Sequence, residues 1–464
     1  MMKLKNLIIY LFAACLVFSS CKKELDLSPT DTFDETNAFQ TIDDIQKGLN
    51  AVYGRFGTYS NKMFVSALAS DEAKIGDDNQ GQGIFTYRYQ YSSDATSGGD
   101  VIAAFGGYYA VIDQANRVLA RVATVTANSP AEEARRPLLR GQLLAMRALA
   151  HFELMQMYSK NYNPSDERGV PIMLTSDVLA RPARNSMGEV MTQVEQDLTE
   201  AKTLLSSAPF NDTVMNKVNI AAYQARIALY KGDYPAAITY STEVINASVK
   251  PLVSGTDYEG IWTDENTNEI LFRIRYEADG AIGSLWTTTT SLVYFSPSKK
   301  LIDSYDNDDV RLNAFFTSLS GKNAVYKFFT SSKGARVVDL KVIRIAEMYL
   351  IRAEANARKS GPDLALGAAD LNMVRRNRID GYADETFGSA TDLINAVLDE
   401  RYKEFCFEGL RFFDLKRSNL PVQRNADDAS PAWQTLAAGD YRFVMPIPRS
   451  EINANPNMVQ NDNY

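Results

Sequence analysis

The chain of 464 residues is poor in several things, and each shortage excludes a class of function. It has one histidine, His151, which removes multi-histidine metal sites. It has three cysteines, and two of them, Cys15 and Cys21, lie at the extreme N-terminus. That leaves Cys406 alone in the body of the chain, so no disulfide framework is available to it. It lacks a basic excess: 49 Lys and Arg stand against 57 Asp and Glu, for a net charge of −8. No nucleic-acid partner is expected of such a balance, because that contact needs a basic stripe. It lacks an apolar run of about 20 residues, the length that spans a bilayer as a helix. No G-x-S-x-G element is present, so the Ser-nucleophile elbow is absent. No cofactor motif stands out either.

What is present begins with an address. Lys3 and Lys5 precede an apolar run from Leu7 to Phe18, and Ser19, Ser20 and Cys21 follow. A basic start, a short apolar run and small residues make a secretory signal segment, 1–20. Cys directly after small residues resembles the lipobox of bacterial lipoproteins, which implies lipidation at Cys21, with Phe18 in place of the commoner Leu. One acyl chain holds a protein marginally and two or more hold it stably. Residues 21–34 read as a polar tether, and the length of the remainder, 35–464, suits about three average domains or one large scaffold with insertions, which the resemblance given below resolves to a single domain.

Helical periodicity dominates the body. Ile42, Ile45, Leu49, Val52 and Phe56 share one helix face. Further helices are expected over 105–122, 132–158, 187–205, 217–231, 234–246, 343–358, 363–378 and 391–407. Several are paired through tight turns, as at Gly232-Asp233 and Gly361-Pro362, with small residues such as Ala221, Ala225 and Ala228 at the contact. Such pairs resemble tetratricopeptide (TPR) units, whose period is about 34 residues. The expected fold class is mainly α: a TPR-like helical scaffold of about four pairs, over 41–56, 105–247 and 343–407. Loop-rich insertions at 70–100 and 249–335 hold a few short strands, and 408–464 follows the last long helix; that these make a variable ligand-binding half and a closing segment is what the family resemblance given below implies. Strands are expected at 270–276, 292–295 and 324–329.

Five passages then resemble one family. They are ELDLSPTDTF from Glu24, YYAVIDQANRVL from Tyr108, RIAEMYLIRAEANAR from Arg344 with LNMVRRNR from Leu371, DERYKEFCFEGLRFFDLKR from Asp399 to Arg417, and FVMPIPRSEINANPNMVQNDNY from Phe443. They resemble the SusD/RagB-type outer-membrane nutrient-binding lipoproteins, over nearly the whole mature chain. The ending Asn461-Asp462-Asn463-Tyr464 departs from the family's usual Gln-Asn-Pro-Gly-Tyr. The resemblance implies a surface-exposed protein, anchored in the outer membrane by lipid, that captures oligosaccharides. It implies a SusC-like TonB-dependent transporter as partner, over which the lipoprotein acts as a lid. It implies binding without chemistry, no enzyme activity and no cofactor. A RagB-like receptor for peptides is the alternative, and a surface glycosidase the remote one.

Sugar rings stack their C–H faces on aromatic rings, and their hydroxyls bond amides, carboxylates and guanidinium groups. Two loops offer that mixture. The first supplies Asp77, Asn79, Tyr87, Arg88, Tyr89 and Tyr91, with Asp78, Gln80 and Gln82 beside them. The second supplies Trp286 and Tyr294. The opposing reading makes Tyr87, Tyr89 and Tyr91 one face of a strand packed on the core. No metal site is expected, although Asp77 and Asp78 suit a calcium ion. Trp262 and Trp433 read as packing residues.

Glu400, Glu404 and Glu408 fall on one helix face at i, i+4 and i+8, where they repel unless partnered. Two readings compete: a two-carboxylate glycosidase site, and a structural ion-pair network, which is favoured. Arg401, Arg411, Lys416 and Arg417 are the cations in reach. His151, on a face with Leu144, Ala148 and Met155, reads as a packed, hydrogen-bonded side chain, and Cys406 as an inert buried thiol.

Overall fold

The computed structural model describes residues 38–278, 282–288 and 292–464. The signal segment, Cys21 and the tether lie outside the described residues, as do Thr289 and Thr290.

Each long helix starts where a side chain meets its first free amides. Helix α1 (Ile42–Arg55) opens on a capping box between Thr41 and Asp44. Ile42, Ile45, Leu49, Val52 and Phe56 are wholly buried, as their spacing predicts. Helix α2 (Tyr59–Ala69) follows. Helix α3 (Ala95–Val122) starts at Asp94, ten residues ahead of expectation, because Asp94 Oδ1 accepts the amides of Thr96 and Ser97. Helix α4 (Pro130–Tyr158) starts on Ser129 with proline at its first position. Helices α5 (Met187–Leu204), α6 (Lys217–Lys231) and α7 (Tyr234–Ala247) continue the series. Between α6 and α7, Gly232 takes a left-handed φ of 78° and Asp233 caps the next helix, so the turn sits where the sequence places it. Helix α8 (Gly255–Trp262) lies in the second insertion. Helices α9 (Ile345–Arg358), α10 (Leu364–Arg376), α11 (Ala390–Glu404) and α12 (Arg411–Arg417) complete the longer helices among the described residues.

Consecutive helices pack as pairs: α3 on α4, α4 on α5, α6 on α7, α9 on α10, with α7 also against α9 and α9 against α11. One large apolar core runs beneath most of these, and a smaller one, built on Ala346, Leu350, Leu371, Leu393 and Val397, joins α9, α10 and α11.

The strands among the described residues form five two-stranded antiparallel sheets. They are β1 (Ala73–Ile75), β2 (Ile270–Ile274), β3 (Phe295–Pro297), β4 (Phe316–Leu319), β5 (Lys322–Val325), β6 (Thr330–Ser331), β7 (Gly334–Ala335), β8 (Leu340–Arg344), β9 (Val422–Gln423) and β10 (Thr435–Leu436). β1 pairs with β3, β2 with β8, β4 with β5, β6 with β7 and β9 with β10. The strands expected at 292–295 and 324–329 are each displaced by a few residues.

The acidic face of α11 is a buried ion-pair network, but its partners are not the expected ones. Glu404 meets Arg344 (2.8 Å), Arg378 (2.9 Å) and Arg311 (3.1 Å). Glu408 meets Lys327 (2.6 Å) and Arg344 (2.7 Å), and Glu400 meets Arg311 (2.6 Å) and Arg375 (2.8 Å). Glu269, at the start of β2, closes the cluster on Arg378 (2.8 Å). The four nearby cations serve elsewhere. Arg411 binds Asp71 (2.8 Å), Arg401 binds Asp414 (2.8 Å), Arg417 binds Glu354 (2.7 Å), and Lys416 donates to backbone carbonyls. The reason is geometric: α11 turns Glu400 and Glu404, and the turn that follows it turns Glu408, inward against β8 and the 309–311 turn, while α12 faces α2 and the end of α4. With every carboxylate saturated and buried, this cluster offers no pair of free acids to a glycosidic bond.

Candidate functional site

The pairing of β1 with β3 brings the two predicted loops together. Ala73, Lys74 and Ile75 stand opposite Pro297, Ser296 and Phe295. Past the strands the contact continues: the Gly76 amide donates to Tyr294 O (2.9 Å) and the Val293 amide to Asp78 Oδ2 (2.8 Å). Asn79 Nδ2 donates to both Tyr294 O and Gln82 O (3.1 Å each). A Cβ on Gly76 would lie 2.2 Å from Val293 O, so only glycine admits this approach. Lys322, from the β4–β5 hairpin, reaches Asp78 Oδ1 at 2.6 Å and holds its carboxyl below the ordinary range.

The loop cluster presents a mixed surface to solvent. Asp77, Gln80 and Gln82 are exposed, and Asn79, Arg88 and Tyr294 are half-buried. Phe85 is 40% exposed, an aromatic that sequence reasoning missed. Its one signal is position, between the glycines at 81 and 83 and the tyrosines. Lys322 was also missed, since nothing local ties a hairpin at 320–321 to a loop at 78.

The other four predicted residues lie in the core, which corrects the expectation that they face ligand. Trp286 is 1% exposed, edge-on to Phe407 (5.0 Å) and close to Phe64 (5.8 Å). Tyr87, Tyr89 and Tyr91 are buried, although not as one face of a strand. Residues 84–87 form one helical turn and Tyr89 takes a left-handed φ of 56°. Arg424 explains the arrangement. Its guanidinium lies over the rings of Tyr87 (4.0 Å) and Tyr89 (4.7 Å) and donates to the carbonyls of Leu68 (2.6 Å), Ser70 (2.8 Å) and Tyr87 (2.7 Å). The Tyr87 hydroxyl donates to Asp428 O and that of Tyr91 to Arg442 O. Alternating tyrosines thus anchor the loop from below, and the polar residues form its rim.

His151 behaves as read. Its Nδ1 is 3.0 Å from Arg147 O, its Nε2 accepts the Met173 amide (3.2 Å), and burial pushes it down to about 3, so it stays neutral. Cys406 lies under Tyr305, and burial pushes its thiol up to about 12. Trp262 packs against Phe315 (5.2 Å). Trp433 is half-buried, and its carbonyl accepts from Arg424. No group of three or more metal-ligating side chains occurs among the described residues. None of their helices is long and apolar enough to cross a membrane.

Comparison with known proteins decides the family. A family model described as "SusD family" matches residues 294–464, and one described as "Starch-binding associating with outer membrane" matches residues 23–229. The chain belongs to the SusD-like family. The SusD-like protein P2 of Formosa agariphila is 24% identical over 95% of this chain and 96% of its own length. Among solved structures, a putative sugar binding protein of Bacteroides vulgatus superposes with a TM-score of 0.80 at 24% identity, covering 92% of this chain and 99% of that one. A laminarin binding SusD-like protein superposes with a TM-score of 0.70 at 22% identity, covering 92% of this chain and all of that one. These likenesses establish that this SusD-like chain has the helical, TPR-like fold of its superfamily.

Proposed function

We propose that this SusD-like chain is a glycan receptor of the outer membrane, held there by lipid at Cys21 and exposed at the cell surface. Its loop face takes an oligosaccharide and passes it to a SusC-like TonB-dependent transporter, over which the protein closes as a lid. The observation that carries the reading is the joining of loop 74–94 to residues 292–297 in one polar cluster, with Tyr294 half-buried on one part and Phe85 exposed on the other. A sugar ring lies on these aromatics while Asp77, Asn79, Gln82 and Arg88 meet its hydroxyls. The outer-membrane description of the family model and the laminarin-binding relative support the same reading.

Calorimetric titration with laminarin and with maltoheptaose tests it. Tyr294→Ala and Phe85→Ala are expected to weaken binding at least tenfold with the melting temperature unchanged. Wild-type affinity in both variants would move the site off this face. Binding of a peptide digest in place of the glucans would favour the peptide receptor, and release of reducing ends would make the protein an enzyme. Co-purification with an outer-membrane barrel after cross-linking tests the partner.

A further inference from the structure

A separate cavity of about 310 Å³ opens between the C-terminal ends of α4 and α12 and the turn at 439–444. Its wall includes Asn161, Asn419, Asp440, Tyr441 and Lys416. Lys416 is 3% exposed. Its ammonium donates to Gln156 O (2.7 Å) and to Ser159 O, the closing carbonyls of α4. Those two bonds cap the helix, and the ammonium has no third partner among the described residues.

No carboxylate stands within ion-pairing distance of Lys416 among the described residues, because the acids nearby are taken. Asp440 binds Arg442 (2.7 Å), Asp166 faces Arg168 (3.6 Å), and Lys160, the other cation on the wall, binds Asp462 (2.9 Å). Lys62, a further buried ammonium, binds Glu153. A buried charge without a counterion is strongly unfavourable. Burial, with Lys62 adding repulsion, pushes Lys416 down to about 7. An anion entering the cavity relieves this. Tyr441 is 38% exposed, steadied edge-on by Tyr464 at 5.2 Å, and offers an aromatic surface. The volume falls at the lower end for small-molecule pockets, enough for one ring rather than a chain.

We propose that this cavity is a second binding site that holds a single acidic sugar unit, its carboxylate on Lys416, its ring against Tyr441 and its hydroxyls on Asn161, Asn419 and Asp440. The sugar ring rests on the carbohydrate reading of the chain, and the carboxylate rests on Lys416 alone.

Titration of the full chain with sodium glucuronate, glucuronamide, glucose and sodium acetate tests it. Saturable binding of glucuronate is expected, at least tenfold tighter than each of the other three. Lys416→Met is expected to abolish it. Since that change also uncaps α4, Tyr441→Ala, on the surface, is the second variant, with at least a fivefold loss. In the wild-type protein, glucuronate is expected to shield Lys416 from acetylation by acetic anhydride, read by mass spectrometry. Equal affinity for glucuronate and glucuronamide, equal affinity for acetate, or unchanged affinity in Tyr441→Ala would each overturn the proposal. A protein that binds glucans and ignores glucuronate overturns this site alone. One that binds glucuronate and no glucan overturns the loop-face reading alone.

Discussion

Asp71 and Glu72 are neighbours in the chain, yet their carboxyls sit in opposite surroundings. Burial would raise Asp71, but Arg411 and Lys300 hold it well below the usual carboxylate range. Glu72 is wholly buried, and among the described residues no cation pairs with its carboxyl and no side chain donates to it. Burial, and then Asp71, push it up from 4.5 to about 8. A folded-state value above the unfolded one gives stability that is full below 4.5 and lost as pH rises through 8. The fall between is up to about 1.4 kcal/mol per pH unit. Glu72→Gln is expected to remove that fall, so urea midpoints at pH 5, 6, 7 and 8 should flatten. A variant that declines as the wild type does would show that another group titrates. In the network, Arg378 joins Glu404 to Glu269 and lies 3.9 Å over the Tyr258 ring. Arg378→Met leaves both acids underpaired, an expected loss of about 3–5 kcal/mol in denaturant unfolding. Arg411→Ala acts on Asp71 rather than on α11, with a similar expected loss. Trp286→Ala empties a core position, and the expected cost is again about 3–5 kcal/mol, seen as a lowered melting temperature.

At the scale of elements, the approach of β1 to β3 depends on Gly76. Gly76→Ala forces the two loops apart at Val293 and is expected to weaken glucan binding at least tenfold while far-ultraviolet dichroism stays that of the wild type. Unaltered binding would show that the loops do not act as one surface. The elements that could be read from the chain are those with local causes. The stripe from Ile42 to Phe56, the turn at Gly232-Asp233 and the Arg147 carbonyl beside His151 Nδ1 each depend on residues within a turn or two of each other, although the Met173 amide on Nε2 comes from further along the chain. What escaped reading depends on distant chain. Tyr87, Tyr89 and Tyr91 alternate as a strand would, but Arg424 and Asp428 hold them in another shape. Trp286 looks like a loop aromatic until Phe64 and Phe407 close around it. The acidic face of α11 was legible as a network, while its partners, Arg311, Arg344 and Arg378, were not, because only the folded topology brings them near.

For the whole molecule, the proposed anchor makes a simple prediction about place. Cys21→Ala is expected to move the protein from the outer-membrane fraction to a soluble one and to abolish acyl labelling. Unchanged fractionation with intact labelling would refute the lipid anchor. Protease shaving of intact cells is expected to remove the wild-type protein, as surface exposure requires.

Arg424 has a consequence for the order in which the protein comes into being. It reaches Ser70 across 354 residues of chain and holds Leu68 and Tyr87 with the same guanidinium. Contacts so far apart in sequence form late and fold slowly. A growing or translocating chain therefore carries its first loop for most of its synthesis with nothing to seat the tyrosines. The surface built on that loop exists only once Arg424 has emerged, and a chain cut short before Arg424 has the scaffold's helices without the means to display it.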